Sequence, residues 1–189
     1  MRMLRIFIAS VVVSMLSITL VHASSGTFRQ SHYGGFKGLD LDPASENRFW
    51  QVTEKTMSRL IRPGDGGKPA PDLATEWSSN DDTTEWVLKL REGVKFHDGS
   101  DFDAADVIYT FTHVKDPEFD STAAAVIKMV DTMEAVDPFT LKLTLSAPYP
   151  DLGLALQDYR LRIIPEGSAD TISTTGIGTG PFMLDTYDP

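Results

Sequence analysis

Four aspartates crowd one short stretch, Asp98, Asp101, Asp103 and Asp106, and carboxylates so close together raise the question of a calcium site. Their spacing does not match an EF-hand loop, and Asp103 with Asp106 three residues on has the pattern of a helix N-cap and its box partner. The glycine run Gly176–Gly180 resembles a phosphate cradle only superficially, because Pro181 follows at once where a dinucleotide fingerprint needs a third glycine opening a helix. Gly64–Lys68 lacks the spacing and the hydroxyl residue of a P-loop. His32, His97 and His113 share no ligand spacing, and without cysteine there is no thiolate ligand, thiol nucleophile or disulfide. No serine sits in a nucleophile elbow, and Asp81-Asp82 and Asp40/Asp42 suit solvated turns better than an acid/base pair. The expectation is a protein with no catalytic residue, metal or cofactor. Two aromatic sites remain: Tyr33 beside Gly34-Gly35, and Tyr159-Arg160. Each joins a π face to close-approach glycines or to a cation at a loop edge, the composition of a small-ligand cleft or, equally, of an ordinary amphipathic surface.

The elements that must position these residues follow from hydrophobic period and punctuation. Gly26–Tyr33 reads as a strand ending at the glycine pair. Ser45 is a helix N-cap, and Phe49, Val52, Met57, Leu60 and Ile61 recur at helical spacing until Pro63-Gly64, so one helix is expected up to that point. Arg62–Pro71 is a polar loop and the first internal boundary. Thr84–Leu90 alternates, with Trp86, Leu88 and Leu90 on one face, and the Arg91-Glu92-Gly93 turn predicts a hairpin with Val94–Phe96. A capped helix runs from Ala104 to about His113 and buries Val107, Ile108 and Phe111. Ser121–Lys128 has helical composition, and Met129–Ala135 is ambiguous by period. Asp137-Pro138 turns into the alternating strand Thr140–Leu145, giving a second hairpin. A short helix at Asp151–Gln157, a strand at Leu161–Ile164, a polar loop at Ser168–Thr175 and a strand at Phe182–Thr186 complete the pattern. The chain then stops at Pro189 without a closing element, which reads as a fragment.

Seventeen Lys and Arg face 27 Asp and Glu, a net charge of -10, and no basic run exists to neutralise phosphates, so nucleic acid is not an expected partner. At the N-terminus, Arg2 and Arg5 precede the apolar run Ile6–Leu20, and Val21-His22-Ala23 offers small residues for cleavage: the pattern of a secretory signal peptide cut after Ala23. The run is short for a membrane span. Removing it takes the basic count from 17 to 15 and the net charge to -12. An acidic, cysteine-free chain with no lipidation site at the cut fits a free periplasmic protein, expected to be monomeric.

An ordered set of motifs carries a family resemblance. Pro71-Asp72-Leu73-Ala74-Thr75-Glu76-Trp77, Asn80-Asp81-Asp82, Trp86 through Gly99, and Ala104-Ala105-Asp106-Val107 come first. Ala135 through Thr140, Ala147-Pro148-Tyr149-Pro150 and Gly178-Thr179-Gly180-Pro181-Phe182 follow. Together they resemble the signature of the family 5 extracellular solute-binding proteins, the peptide/nickel-type receptors of ABC importers. The resemblance implies a mixed α/β, periplasmic binding protein-like two-lobed fold of which only part of the first lobe is present. Residues 24–62 and 165–189 would belong to the main lobe, and 63–164 to an inserted α+β subdomain. It further implies ligand contacts from Tyr33, Gly34, Gly35, Phe36, Tyr159 and Arg160, with Arg160 able to meet a carboxylate. Gly178, Thr179 and Gly180 would lie at the hinge or lobe junction, and His97-Asp98-Gly99 would be a folding motif. The implied function is capture of a peptide-like or related small solute for a membrane permease; a secreted hydrolase or a sensor on the same fold is the competing reading.

Overall fold

The computed structural model describes residues 49–186. The signal segment, the first strand, the Ser45 cap and the Tyr33–Phe36 candidates lie outside these residues. Helix α1 spans Phe49–Thr56, followed by β1 (Ile61–Pro63), β2 (Pro69–Pro71), β3 (Ala74–Ser79) and β4 (Glu85–Leu90). Then come α2 (Ala104–Lys115), β5 (Val130–Asp137), β6 (Thr140–Leu145), α3 (Leu152–Ala155) and α4 (Ala169–Thr175). Strands β3-β4-β6-β5 form one antiparallel sheet, and β1 and β2 a separate ladder.

The alternation read from the sequence sets the two faces of that sheet. In β4 and β6, Trp86 pairs with Leu143 and Leu88 with Leu141, all buried, and they share one apolar core with Val107, Phe111 and Val114 of α2. On the opposite face Val87 stands across from Lys142, whose Nζ reaches Glu85 at 2.8 Å. Period-two alternation puts every second side chain in the core, so a slip of one residue would expose the whole set. β5 and β6 form the expected hairpin, with Asp137 accepting from the Phe139 amide at 2.8 Å in its turn. Helix α2 starts at Asp103 with a full capping box: Asp103 accepts from the Ala105 amide at 2.7 Å and Asp106 from the Asp103 amide at 2.9 Å. Asp106 also accepts from the Glu166 amide at 2.8 Å; burial raises its pKa above the ordinary value, with the neighbouring carboxylates adding to burial and the two amides opposing it.

Several expectations are corrected. The first helix ends at Thr56; Leu60 lies at a bend and Ile61 opens β1, both buried, because the carbonyls that would continue the helix are taken by distant donors. Arg62–Pro71 holds the β1/β2 ladder around a tight turn rather than an open loop. Strand β4 does not pair with Val94–Phe96; its neighbours are β3 and β6, and residues 94–102 close on themselves through Phe96 N–H to Ser100 and Phe102 N–H to Val94. Strand β3, which begins inside the Pro71–Trp77 motif and runs to Ser79, has no counterpart in the pattern reading. Thr122–Ala125 is a single three-ten turn, and the ambiguous segment after it is β5. Leu161–Ile164 is buried but contributes only an isolated bridge, Arg162 to Arg59. Ser168–Thr175 is not a loop: Ile172 supplies the buried anchor of α4, which Gly176 ends in the left-handed conformation at φ 57°. Phe182–Thr186 forms no strand, and Phe182 and Met183 are exposed.

The two-faced sheet is tested by adjacent substitutions. Leu88→Ala should lower unfolding free energy by about 2–5 kcal/mol, whereas Val87→Ala on the solvent face should cost less than about 1 kcal/mol, read from denaturant melts. Equal losses would mean that the register is wrong.

Candidate functional site

The expected junction residues Gly178, Thr179 and Gly180 lie against the C-terminal end of α1. A β-carbon on Gly178 would stand 2.2 Å from the Thr56 carbonyl oxygen and one on Gly180 2.4 Å from that of Lys55, so neither position accommodates a side chain. The close approach lets Gly180 N–H donate to Thr56 at 2.9 Å and Phe182 N–H to Lys55 at 3.1 Å. His97 holds the same segment from the other side. Its backbone N–H donates to the Gly178 carbonyl at 3.0 Å, Nδ1 accepts from the Gly178 amide at 3.3 Å, and Nε2 lies 2.9 Å from the Gly180 carbonyl. Since Nδ1 accepts, the ring proton sits on Nε2 and donates to Gly180. The His97-Asp98-Gly99 turn and the Gly-Thr-Gly segment, about eighty residues apart, thus form one unit, the folding role that the resemblance implied for the turn.

Tyr159 and Arg160 form the exposed corner that follows α3. Tyr159 is 41% exposed, with the Arg160 guanidinium 5.7 Å from its ring centre. Arg160 grips Asp158 with both ends of its fork, Nε to Oδ1 at 2.8 Å and Nη2 to Oδ2 at 2.7 Å, and Nη1 reaches Thr122 at 2.9 Å. Burial pushes the Asp158 carboxyl up, but the Arg160 hydrogen bonds and charge outweigh it and hold the pKa below the usual range. Arg160 thus has one carboxylate partner within its own corner, beside the exposed Tyr159 ring. A groove of 410 Å³ lies beside it, lined by Val126, Met129, Tyr149, Leu154 and Asp158 among others. The structure leaves Tyr33–Phe36 undescribed, so it brings together only the second half of the predicted ligand set.

Behind the corner lies a buried ionic cluster that pattern reading missed. Arg59 and Arg162, 4% and 2% exposed, converge on Glu54 of α1. Arg59 Nη2 donates to Glu54 at 2.8 and 2.6 Å and its Nη1 to the Gln157 carbonyl at 2.6 Å. Arg162 donates through Nη2 to Glu54, through Nη1 to the Met57 carbonyl at 3.1 Å and through Nε to the Tyr159 carbonyl at 2.9 Å. Asp72 accepts from the Arg59 amide at 3.2 Å. Burial raises Asp72, which that amide and the nearby arginines only partly offset; burial would raise Glu54 as well, yet the two guanidinium groups more than compensate and lower it. The sequence signal was there in retrospect: Arg59 and Arg162 each stand among apolar neighbours, where a charge survives only if paired.

The four aspartates of the opening question are spent separately. Asp98 accepts from Ser100 N–H and Oγ, Asp101 pairs with Lys95 at 2.6 Å, and Asp103 and Asp106 cap α2.

Residues 68–189 match the model of the bacterial extracellular solute-binding proteins, family 5. Di/tripeptide-binding protein 1 of Pseudomonas aeruginosa is 29% identical, over 79% of this chain and 32% of that protein. Glutathione-binding protein GsiB of Escherichia coli K12 is 34% identical over 61% of this chain and 23% of its own length. Among solved structures, AgaA in complex with agropinic acid, from A. tumefaciens R10, superposes with a TM-score of 0.72 at 26% identity, over 80% of this chain and 32% of that one. The chain spans about a third or less of the length of these relatives.

Two expected outcomes follow from the site's geometry. Gly178→Ala should destabilise by about 1–3 kcal/mol, since the new methyl meets backbone that cannot yield; an unchanged melting temperature would refute the close contact. Glu54 has a lowered folded pKa, so its contribution is present above its unfolded value and is lost as pH falls through the folded one. The stability gap between wild type and Glu54→Gln, from melts at stepped pH, should therefore be widest at neutral pH and shrink from about pH 5 downward.

Proposed function

Because this chain belongs to the family 5 bacterial extracellular solute-binding proteins, we propose that it is part of a receptor of an ABC importer, which captures a peptide-like or related small solute and passes it to a membrane permease. The observation that carries this reading is the family match over residues 68–189, which takes in both halves of the clasp between His97 and the Gly-Thr-Gly segment. The relatives named for di- and tripeptides and for glutathione favour short peptides as the first class of solute to test.

The receptor works by binding without turnover, since its family and relatives are binding proteins rather than enzymes. It closes around the ligand by hinge motion between two lobes. In this scheme residues 63–164 are the inserted subdomain, and 24–62 with 165–189 belong to the main lobe. Tyr33–Phe36 supplies backbone groups to an extended ligand, Tyr159 and Arg160 border it, and Gly178–Gly180 lies at the junction. The receptor is exported by residues 1–23, cut near Ala23, and acts in the periplasm as a monomer. Support comes from the two arginines before an apolar run and from a family described as extracellular.

One purification tests the proposal. The full-length protein, expressed with its own N-terminus and examined by native mass spectrometry, should have lost the mass of residues 1–23 and should carry or accept a short peptide. Titration with glutathione and trialanine should show one site with an affinity of about micromolar or tighter. Hydrolysis of either probe, or retention of the leader in a membrane pellet, would overturn the reading.

A further inference from the structure

The buried cluster does more than neutralise itself. Both guanidinium groups that converge on Glu54 also hand a hydrogen bond to the exposed corner: Arg59 Nη1 to the Gln157 carbonyl at 2.6 Å, and Arg162 Nε to the Tyr159 carbonyl at 2.9 Å. Those carbonyls flank Asp158, the residue that Arg160 grips with its fork. The corner's other described ties are mostly local: Gln157 N–H to Leu154 at 3.2 Å, Asp158 N–H to Ala155 at 3.1 Å, Leu161 N–H to Asp158 at 3.1 Å and the Arg160 amide to the Asp158 side chain at 2.9 Å, with Arg160 Nη1 reaching Thr122 at 2.9 Å. Arg162 is 2% exposed and cannot reach a solute, whereas Tyr159, whose carbonyl it holds inward, is 41% exposed.

We infer that Arg162, seated on Glu54 and Met57 of the α1 end, is a positioning residue for solute capture, which fixes the Tyr159–Arg160 corner in its binding conformation. The inference rests on the reading of Tyr159 and Arg160 as ligand contacts. Its physical basis is preorganisation: a corner held before the solute arrives loses less conformational entropy on binding. The chemistry requires arginine. Its rigid planar fork satisfies Glu54, the Met57 carbonyl and the Tyr159 carbonyl together, in diverging directions. A lysine ammonium keeps the charge but collapses the three donors onto one atom at the end of a flexible stem.

The test uses the full-length protein with glutathione and trialanine as probes. Arg162→Lys should raise amide hydrogen exchange across residues 157–161 by about tenfold or more while leaving α2 unchanged, and should weaken probe binding by about tenfold. In a Tyr159→Ala/Arg160→Gln background the same substitution should weaken binding by less than about twofold, because the groups it positions are gone. Unchanged exchange at the corner, or affinity losses that multiply across the two backgrounds as for independent defects, would overturn the inference. Should Arg162→Lys fail to fold, Glu54→Gln, which keeps an acceptor oxygen but removes the charge, carries the same comparison. Failure of the wild type to bind either probe counts against the ligand reading, and the exchange comparison then decides the positioning by itself.

Discussion

Six consecutive backbone carbonyls, from Lys55 to Leu60, each accept a hydrogen bond from a different donor, and the described structure is assembled around them. Phe182 and Gly180 donate to Lys55 and Thr56, the Arg162 side chain to Met57, Ile163 to Ser58, and Leu73 and Ala74 to Arg59 and Leu60. A helix leaves its last four carbonyls without partners, and in a buried setting each must be satisfied. Here the partners come from three separate stretches of chain, so the end of α1 becomes the place where the junction segment, the corner before Ile163 and the entry to the sheet are all registered. Glycine at 178 and 180 is a consequence of this arrangement, since only a residue without a β-carbon brings its amide that near.

The same hub carries the buried charge. Arg59 and Arg162 lie within hydrogen-bonding reach of Glu54, and a cluster of this kind is worth little over an apolar replacement while being costly to break, because removal of one member strands another in low dielectric. Its value lies in geometry. Two guanidinium forks translate one carboxylate on α1 into fixed positions for the carbonyls of Gln157 and Tyr159. The clasp from His97 acts in the same way on the junction, with an imidazole able to accept from one residue and donate to another two positions on. Residues that serve as family markers in the sequence thus act here by holding separate stretches of chain together.

Legibility followed the range of the determining contacts. The alternation of Trp86, Leu88 and Leu90, the separate alternation of Leu141, Leu143 and Leu145, the β5–β6 hairpin and the Asp103–Asp106 box were readable because each is decided by neighbours a few residues away. The end of α1 was not. Met57, Leu60 and Ile61 are buried whether helical or extended, so their spacing carried no information on which, and the deciding donors come from more than a hundred residues onward. Val94–Phe96 has strand composition, yet β4 already has both its edges filled by β3 and β6. At the candidate site, Tyr159 was marked by its loop-edge setting. That Arg160 is engaged by Asp158 depended on a backbone turn, which brings a carboxylate two residues away into bidentate geometry.

By itself the sequence determined the family, the alternating sheet faces, the capped helix α2 and the acidic, cysteine-free character of the chain, all of which depend on composition or on contacts within a few residues. Tertiary structure alone decided where α1 stops, why two glycines are obligatory and which charges are buried together. Those features depend on backbone donors and guanidinium groups arriving from distant segments, and a buried carbonyl or carboxylate accepts whichever partner the folded chain brings to it.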